Sequence, residues 1–543
     1  MFYNVSNNYE YNDCISAGAC SISPNISSMQ EVMIILLRQI AYYLVKLRDL
    51  GVIKTDVALD IINIIASVDG LKDLSEAQIL NLFSKEYNNL ISVRKDYLKL
   101  CRERNSLCVD LKHLIKLSPK TSLSSILKMG DKEFLQKYKR MSSNQKYLSE
   151  ILLTTIKSVC INLISLEDLG VVCHDSINTV LDGINLFNKS KVNVDTIKDM
   201  IKCTAEEDIN LLNLINETQI KQFGHIKKVE VSHSTSPNKA IMVSGSNLND
   251  LKNVLIAVED KGIDVYTNGN LLIAHSFPYF KQFNCLKGHF GNGVNSTILD
   301  FATFPGAILL TKNEAQNIEY LYRGRLFTTD KIVPKGIVKI ENNDFSPLIN
   351  SALQAKGFAK GQKRARETVG YNEQELCDFI DNIKKQKDGK IYIIGLSNMS
   401  INQQEYFKKF YSLLKENDCV ITFSYNPNLP NVFALNLGND YALLYEVLHK
   451  IFSQISILSG NLTFFLTKCD INSLSNIINL KNNGAKNIFL SDCPPTVINP
   501  AVLRAFGRIF SVKNITTPTE DLANIWLQTK KRLRNNGAFS NIK

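Results

Sequence analysis

Apolar residues recur at helical spacing from near the start of the chain to about Glu217. Such a pattern places one face of each helix in a core. Ser28-Met29-Gln30-Glu31 has the form of a capping box ahead of a densely apolar helix over Val32–Leu50, with Gly51 as its stop. Asp56–Val68, a long stretch over Glu86–Leu117 that is charged on one side, and Leu148–Leu169 repeat the style. Few Gly or Pro residues interrupt this part, and stacked antiparallel helices are its simplest packing.

The texture changes near Phe223. Ile241–Gly245, Gly262–Tyr266 and Ala307–Thr311 have strand character, and Asn249–Val258 is helical. Lys390–Gly395, Cys419–Phe423 and Asn487–Leu490 repeat the alternation further on, across a basic, glycine-bearing stretch at Gly357–Gly370 suited to a hinge or linker. Strands alternating with helices predict parallel sheets covered on both faces. The predicted class is therefore α + α/β: a helical-bundle domain over 1–222, Rossmann-like α/β domains over 223–360 and 361–518, and a basic tail over 519–543. In such sheets the loops beyond the carboxyl ends of the strands carry ligands. Here those loops contain Ser246, Asn270, Glu314, Ser397 and Tyr425.

Composition adds limits. At 543 residues the chain has ample material for cores and needs no covalent staples, and its twelve cysteines lack the spacing of a disulfide framework. The N-terminus, Met1–Asp13, is polar and without the apolar run of a secretory signal. Val32–Leu50 is interrupted by Arg38, Lys46, Arg48 and Asp49, which argues against a membrane span. The expected location is intracellular, cytoplasmic by default, with an organelle as the alternative. A net charge of +11 includes basic clusters at 363–366, 384–387 and 530–534. They could attract phosphates or nucleic acid, but no aromatic interleaving or nucleic-acid motif accompanies them. Phosphate-loop, HExxH and GxSxG patterns are missing from the sequence.

The run 262–275, GIDVYTNGNLLIAH, closely resembles a signature of the hybrid-cluster proteins, also called prismane proteins or hydroxylamine reductases, which reads roughly GVDVYTHGEMLPAH. Phe304–Asn313 is similar to that family's FPGAILMTTN, Arg325–Thr329 to its RIFTT, and Gly288–Gly293 to a glycine-rich loop; weaker matches reach 516–522. The resemblance implies a helical domain followed by two α/β domains, an architecture like that of carbon monoxide dehydrogenases. It also implies an N-terminal cubane, a hybrid Fe–S–O cluster, and reduction of hydroxylamine.

Carried over position by position, the resemblance puts Ser246 where the family has a histidine ligand and Asn270 where it has a glutamate. Glu314, Ser397, Tyr425 and Gly438 stand at cysteine positions, and Leu466 at a second glutamate, while the neighbouring lysine is kept as Lys468. At the N-terminal cluster Tyr3 and Ser6 take two cysteine places, and Cys14 and Cys20 match the other two. Thiolates hold iron because they are soft, anionic and strongly donating, which serine, tyrosine, glycine and leucine are not.

The remaining cysteines, Cys419, Cys469 and Cys493 among them, read as isolated small hydrophobes. Cys101 and Cys108 read as neighbours on one helical face, and Cys173-His174 is a poor chelate because adjacent residues diverge on a helix. Glu314, His275 and Lys468 could converge on a harder metal, or His275 could be a hydrogen-bonded structural group. The expectation is a family member without a cofactor and catalytically inactive, acting on protein partners such as a second copy or an active homologue. The alternatives are an oxidoreductase of the hydroxylamine reductase type with a rearranged iron–sulfur cluster, and a basic protein that binds phosphate or nucleic acid.

Overall fold

The computed structural model describes residues 24–527 except 69–70, 72–73, 119–120, 140, 190–191, 292–297, 313–323, 386–388, 396–398, 400, 424–426 and 495–496. The chain forms two compact units, one of Met1–Ile215, Lys312–Lys339 and Pro494–Phe506, the other of Asn216–Thr311, Ile340–Cys493 and Gly507–Lys543.

The first unit is helical: α1 (Pro24–Asp49), α2 (Thr55–Ser67), α3 (Glu76–Glu103), α4 (Leu123–Lys139), α5 (Ser143–Asp168), α6 (His174–Asn185) and most of α7 (Val194–Phe223). Helix α1 buries Val32, Met33, Leu36, Leu37 and Ile40 completely and packs on α3, α4 and α6. It begins four residues before the expected capping box, at Pro24, whose fixed φ suits a first helical turn. Ser28 lies inside the helix, and its hydroxyl donates to the Asp131 carboxylate of α4 instead of capping. Reciprocal capping boxes do form, at Ser75 with Gln78 and at Ser142 with Gln145. Helix α3 stops well short of Leu117 because Asn105 takes a left-handed backbone (φ 47°). Cys108 therefore lies in exposed coil beyond the helix that holds buried Cys101.

Helix α5 is apolar and long enough to cross a membrane, but 83% of its apolar window is buried within the protein. Several of its buried polar side chains are paired inside the bundle: Ser158 and Asn162 donate to Asp208 of α7, each at 2.8 Å, and Thr155 meets Thr204 at 2.7 Å. Those bonds offset the cost of burying polar groups in the densest helix of the unit.

The second unit holds two parallel sheets. In chain order the strands are β1 (Val229–Ser232), β2 (Lys239–Ser244), β3 (Ile263–Asn268), β4 (Leu286–His289) and β5 (Ala307–Leu310). Next, β6 (Leu326–Thr328) and β7 (Val338–Lys339) form a parallel pair in residues of the first unit. Then come β8 (Arg366–Val369), β9 (Ile391–Ile394), β10 (Cys419–Thr422), β11 (Val432–Ala434), β12 (Leu462–Leu466), β13 (Asn487–Leu490) and β14 (Lys513–Asn514). Parallel pairing runs β4-β3-β2-β5 in one sheet and β11-β10-β9-β12-β13-β14 in the other. Helices α8 (Leu248–Val258), α9 (Ile298–Thr303) and α10 (Ser346–Gln354) accompany the first sheet. Helices α11 (Glu373–Lys385), α12 (Ile401–Ser412), α13 (Tyr441–Gln454) and α14 (Ile471–Asn482) follow in the region of the second, and α15 (Pro500–Phe510) begins in residues of the first unit.

Strands buried on both faces read as continuous apolar runs. Ile241, Met242 and Val243 of β2 are fully buried, as are Tyr392, Ile393 and Ile394 of β9. An aromatic cluster of Tyr392, Phe407, Phe410, Phe465 and Phe489 fills one side of the second sheet, with Phe465 stacked on Phe489 at 4.8 Å. In both sheets the strand order reverses once, between β2 and β5 and between β9 and β12. A crevice opens at the carboxyl ends of the strands where such an order reverses. The stretch Gly357–Gly370, expected as a linker, contains β8, which pairs antiparallel with β1 from Val229↔Val369 to Ser232↔Arg366.

Candidate functional site

At the reversal in the first sheet, β2 runs into Gly245, whose φ of +116° only glycine adopts easily. A Cβ there would stand 2.4 Å from both the carbonyl oxygen and the hydroxyl of Thr311. That close approach locks the ends of β2 and β5: Thr311 donates its N–H (2.9 Å) and its hydroxyl (3.1 Å) to the Ser244 carbonyl. Asn247 then caps α8, accepting from the N–H groups of Asn249 and Asp250 at 3.0 Å each. Between them Ser246 stands exposed at the tip of the turn.

On the neighbouring strand, Asn268 is the register partner of Ser244 and accepts its hydroxyl at 2.8 Å. Its amide donates to the Phe290 carbonyl at 2.7 Å. Two residues later Asn270 is partly buried, and its side-chain carbonyl oxygen is sealed from solvent with no hydrogen-bond partner. Thr267 links two histidines, His275 Nε2 and His289 Nδ1, each at 2.9 Å. Burial pushes His275 down to about 4, so it is neutral at ordinary pH. His289 packs edge-on to His233 at 5.4 Å. His233 binds Glu367 of β8 at 3.1 Å and the Gly291 carbonyl at 3.0 Å. The Glu367 carboxylate raises the His233 imidazole, and its other oxygen accepts from Asn436 at 2.9 Å. His275 is thus a hydrogen-bonded structural group, the second of the two roles its sequence allowed.

The second sheet reverses between β9 and β12. Gly395, at φ +99°, donates to the Phe465 carbonyl at 2.8 Å, and the Thr467 hydroxyl donates to the Gly395 carbonyl at 3.0 Å. Leu466 is the last residue of β12, paired with Leu490 and 1% exposed, so its side chain belongs to the core. Lys468 projects to solvent, 44% exposed, and pairs with Asp470 at 3.2 Å. Burial pushes Asp470 upward, but Lys468 and the Ser473 and Tyr441 bonds outweigh it and hold the carboxyl below its ordinary value. Asp470 also caps α14 through the Ser473 N–H at 2.8 Å. Gly438 is buried at φ +64°, and its N–H donates to the Asn436 side chain at 3.3 Å. Glu314, Ser397, Tyr425, Cys14, Cys20, Tyr3 and Ser6 lie outside the described residues.

One pair was not legible in the sequence. Cys469 and Cys493, expected as isolated residues, form a disulfide with a Cα–Cα distance of 4.9 Å. Each stands three residues past the register pair Leu466↔Leu490, so two adjacent parallel strands deliver both to one edge. Strand β12 was absent from the sequence-level prediction, and without it Cys469 had no neighbour. Cys419 is buried in β10, as an ordinary core residue would be.

The described positions do not form the donor set of an iron–sulfur centre. Ser246 is an exposed hydroxyl, Asn270 a neutral amide, Gly438 has no side chain and Leu466 is core. Among the described residues no three His, Cys, Asp or Glu side chains stand together as a metal-holding group. The paired sulfurs of Cys469 and Cys493 are bonded to each other and are not thiolates.

The sequence matches the Prismane/CO dehydrogenase family over residues 10–424. It is 25% identical to a hydroxylamine reductase of Thermodesulfovibrio yellowstonii, covering 95% of this chain and 98% of that one. It is 23% identical to a hydroxylamine reductase of Methanocella arvoryzae, covering 94% and 97%. A solved structure described as NiZn[Fe4S4] and NiNi[Fe4S4] clusters in alpha subunits of acetyl-CoA synthase/carbon monoxide dehydrogenase aligns with a TM-score of 0.45 at 12% identity, over 94% of this chain and 84% of that one. The family match overturns the expectation of a chain without a cofactor. The resemblance describes a family of iron–sulfur proteins, and an iron–sulfur centre is therefore what membership implies. The described positions do not supply its donors.

Proposed function

The chain belongs to the Prismane/CO dehydrogenase family, and from that premise we propose that it is a divergent protein of the hydroxylamine reductase type in which the family's reduction is impaired and the scaffold serves a protein partner. One observation carries the reading. The four described positions that the resemblance aligns with the family's ligands hold an exposed serine, a neutral amide, a glycine and a core leucine. A reduction needs donors that hold a redox centre beside the bound substrate, and fold membership alone does not supply them.

The partner in this reading is a second copy of this chain or an active homologue. The test is anaerobic turnover. With reduced viologen dye and hydroxylamine, the purified chain should show no rate above the dye control, and adding it to an active homologue should change that enzyme's rate or sedimentation. Iron content alone does not decide between the readings, because a bound centre can be inert.

The second reading is an oxidoreductase with a rearranged centre. Its support is the name shared by relatives that span nearly the whole chain. Steady dye oxidation dependent on hydroxylamine would establish it and remove the first reading.

A further inference from the structure

We propose that Cys469 and Cys493 form a reversible thiol–disulfide site at the carboxyl edge of the second sheet. The inference does not depend on the reading of hydroxylamine chemistry.

The sheet presents the two sulfurs to each other. Strands β12 and β13 are parallel neighbours in register from Thr463↔Asn487 to Leu466↔Leu490, and Leu466 and Leu490 are both buried. Beyond them the ladder continues: the Ser491 N–H donates to the Leu466 carbonyl at 3.0 Å, and the Ser491 hydroxyl donates to the Thr467 carbonyl at 2.9 Å. The Asp470 cap and its bonds to Tyr441 at 2.9 Å fix the chain on the far side of Cys469. Hydrogen bonds and burial therefore hold the two backbones close whether or not the sulfurs are joined. A bond that the fold does not need can open and close without unfolding it.

A structural staple is the competing account, since closing a loop restricts the unfolded chain. Two observations favour exchange. First, Cys108 and Cys203 are exposed thiols outside any disulfide. Among the described residues, a bond that coexists with exposed thiols is the pattern of a reacting pair rather than a stapled framework. Second, the two sulfurs differ in access. Cys469 is 5% exposed, whereas Cys493 is partly exposed and lies between exposed Asp492 and Pro494. An incoming thiol meets Cys493 more readily than Cys469.

The exchange balances as follows. A small thiol, as thiolate, attacks Cys493 Sγ; the bond between Cys493 and Cys469 breaks, and Cys469 leaves as a thiolate and takes up a proton. A second thiol attacks the outer sulfur of the mixed disulfide, releasing Cys493 as a thiolate that is protonated in turn. Two small thiols become one small disulfide, and the protein gains two electrons and two protons.

The test uses the folded full-length chain in glutathione buffers of stepped ratio, with alkylation of free thiols and mass analysis of the peptides containing 469 and 493. The expected result is interconversion of bonded and doubly alkylated forms while the circular dichroism spectrum stays native. With Cys469→Ser, Cys493 should accumulate a stable mixed disulfide with glutathione, because the resolving sulfur is gone. With Cys493→Ser, Cys469 should react about tenfold or more slowly, since access limits exchange. The proposal is overturned if the bond in the native chain resists reduction until the protein unfolds, or if it fails to form in oxidised glutathione. Should either variant fail to fold, the titration of the native chain decides alone. Dye-linked turnover plays no part in these measurements, so failure here and failure of the proposed function are separate results.

Discussion

The two strand-order reversals share one closure and differ in everything placed upon it. At each, a glycine with positive φ ends the first strand and a threonine follows the strand across the reversal: Gly245 with Thr311, and Gly395 with Thr467. In both cases the threonine hydroxyl donates to a carbonyl at the end of the first strand, Ser244 in one sheet and Gly395 in the other. Beyond that closure the first sheet carries two sets of polar bonds, Ser244 with Asn268 and Thr267 with His275 and His289. The second carries a core leucine, an exposed lysine and a disulfide. Backbone geometry persists where it closes the sheet, while the side chains above it have gone separate ways.

That contrast can be broken at its strongest point by Gly245→Ala. The new methyl would meet the Thr311 backbone at 2.4 Å in a conformation that L-residues avoid. The expected loss is about 3 kcal/mol or more, read from the urea midpoint. A change within experimental error would mean that the closure is not what holds β2 to β5.

The pH dependence of the first network comes next. His275 titrates near 4 in the folded protein, below the ordinary imidazole value of about 6.5. Between those values the unfolded chain binds more protons than the folded one, so stability rises with pH. The contribution is complete above about pH 6.5 and is lost as pH falls through about 4, a change of up to ~3 kcal/mol. His275→Gln should flatten this limb in urea titrations at pH 7 and pH 4.5. His233 titrates in the opposite sense because Glu367 raises it, and it remains in place as an internal contrast. An unaltered acid limb in the variant would remove His275 as its source.

The smallest effect is expected at the second edge. Lys468→Met breaks an ion pair whose lysine is 44% exposed, and exposed pairs contribute about 0–1 kcal/mol. A loss above about 1 kcal/mol, or a change in the glutathione midpoint with no change in stability, would sharpen the second edge into a tuned site.

Much of this was legible in the chain because both sheets are built of buried parallel strands, whose continuous apolar runs at 241–245, 263–266, 307–311, 391–394 and 419–423 are visible without context. The failures had tertiary causes. Ser28 carries a capping signature but bonds to Asp131, a residue far along the chain. Glu86–Leu117 keeps helical composition past the point where Asn105 turns left-handed. Leu462–Leu466 is a five-residue run that periodicity cannot assign to strand or helix, and its omission hid the sulfur pair. The polar network around Thr267 draws on β3, the turns that follow it and β4, so no local pattern announces it.

The antiparallel clip of β1 with β8 has a consequence for how this sequence could drift. It brings residues 229–232 beside residues 366–369, so the segment between them leaves and rejoins the fold at neighbouring points. Neighbouring strands lie ~5 Å apart. The stretch so enclosed includes β2 to β7, with Lys312–Lys339 in the first unit, so the clip ties the ends of a sheet and not of a loop. The clip acts as a seam, so a change of length within 229–232 or 366–369 would put both of its sides out of register.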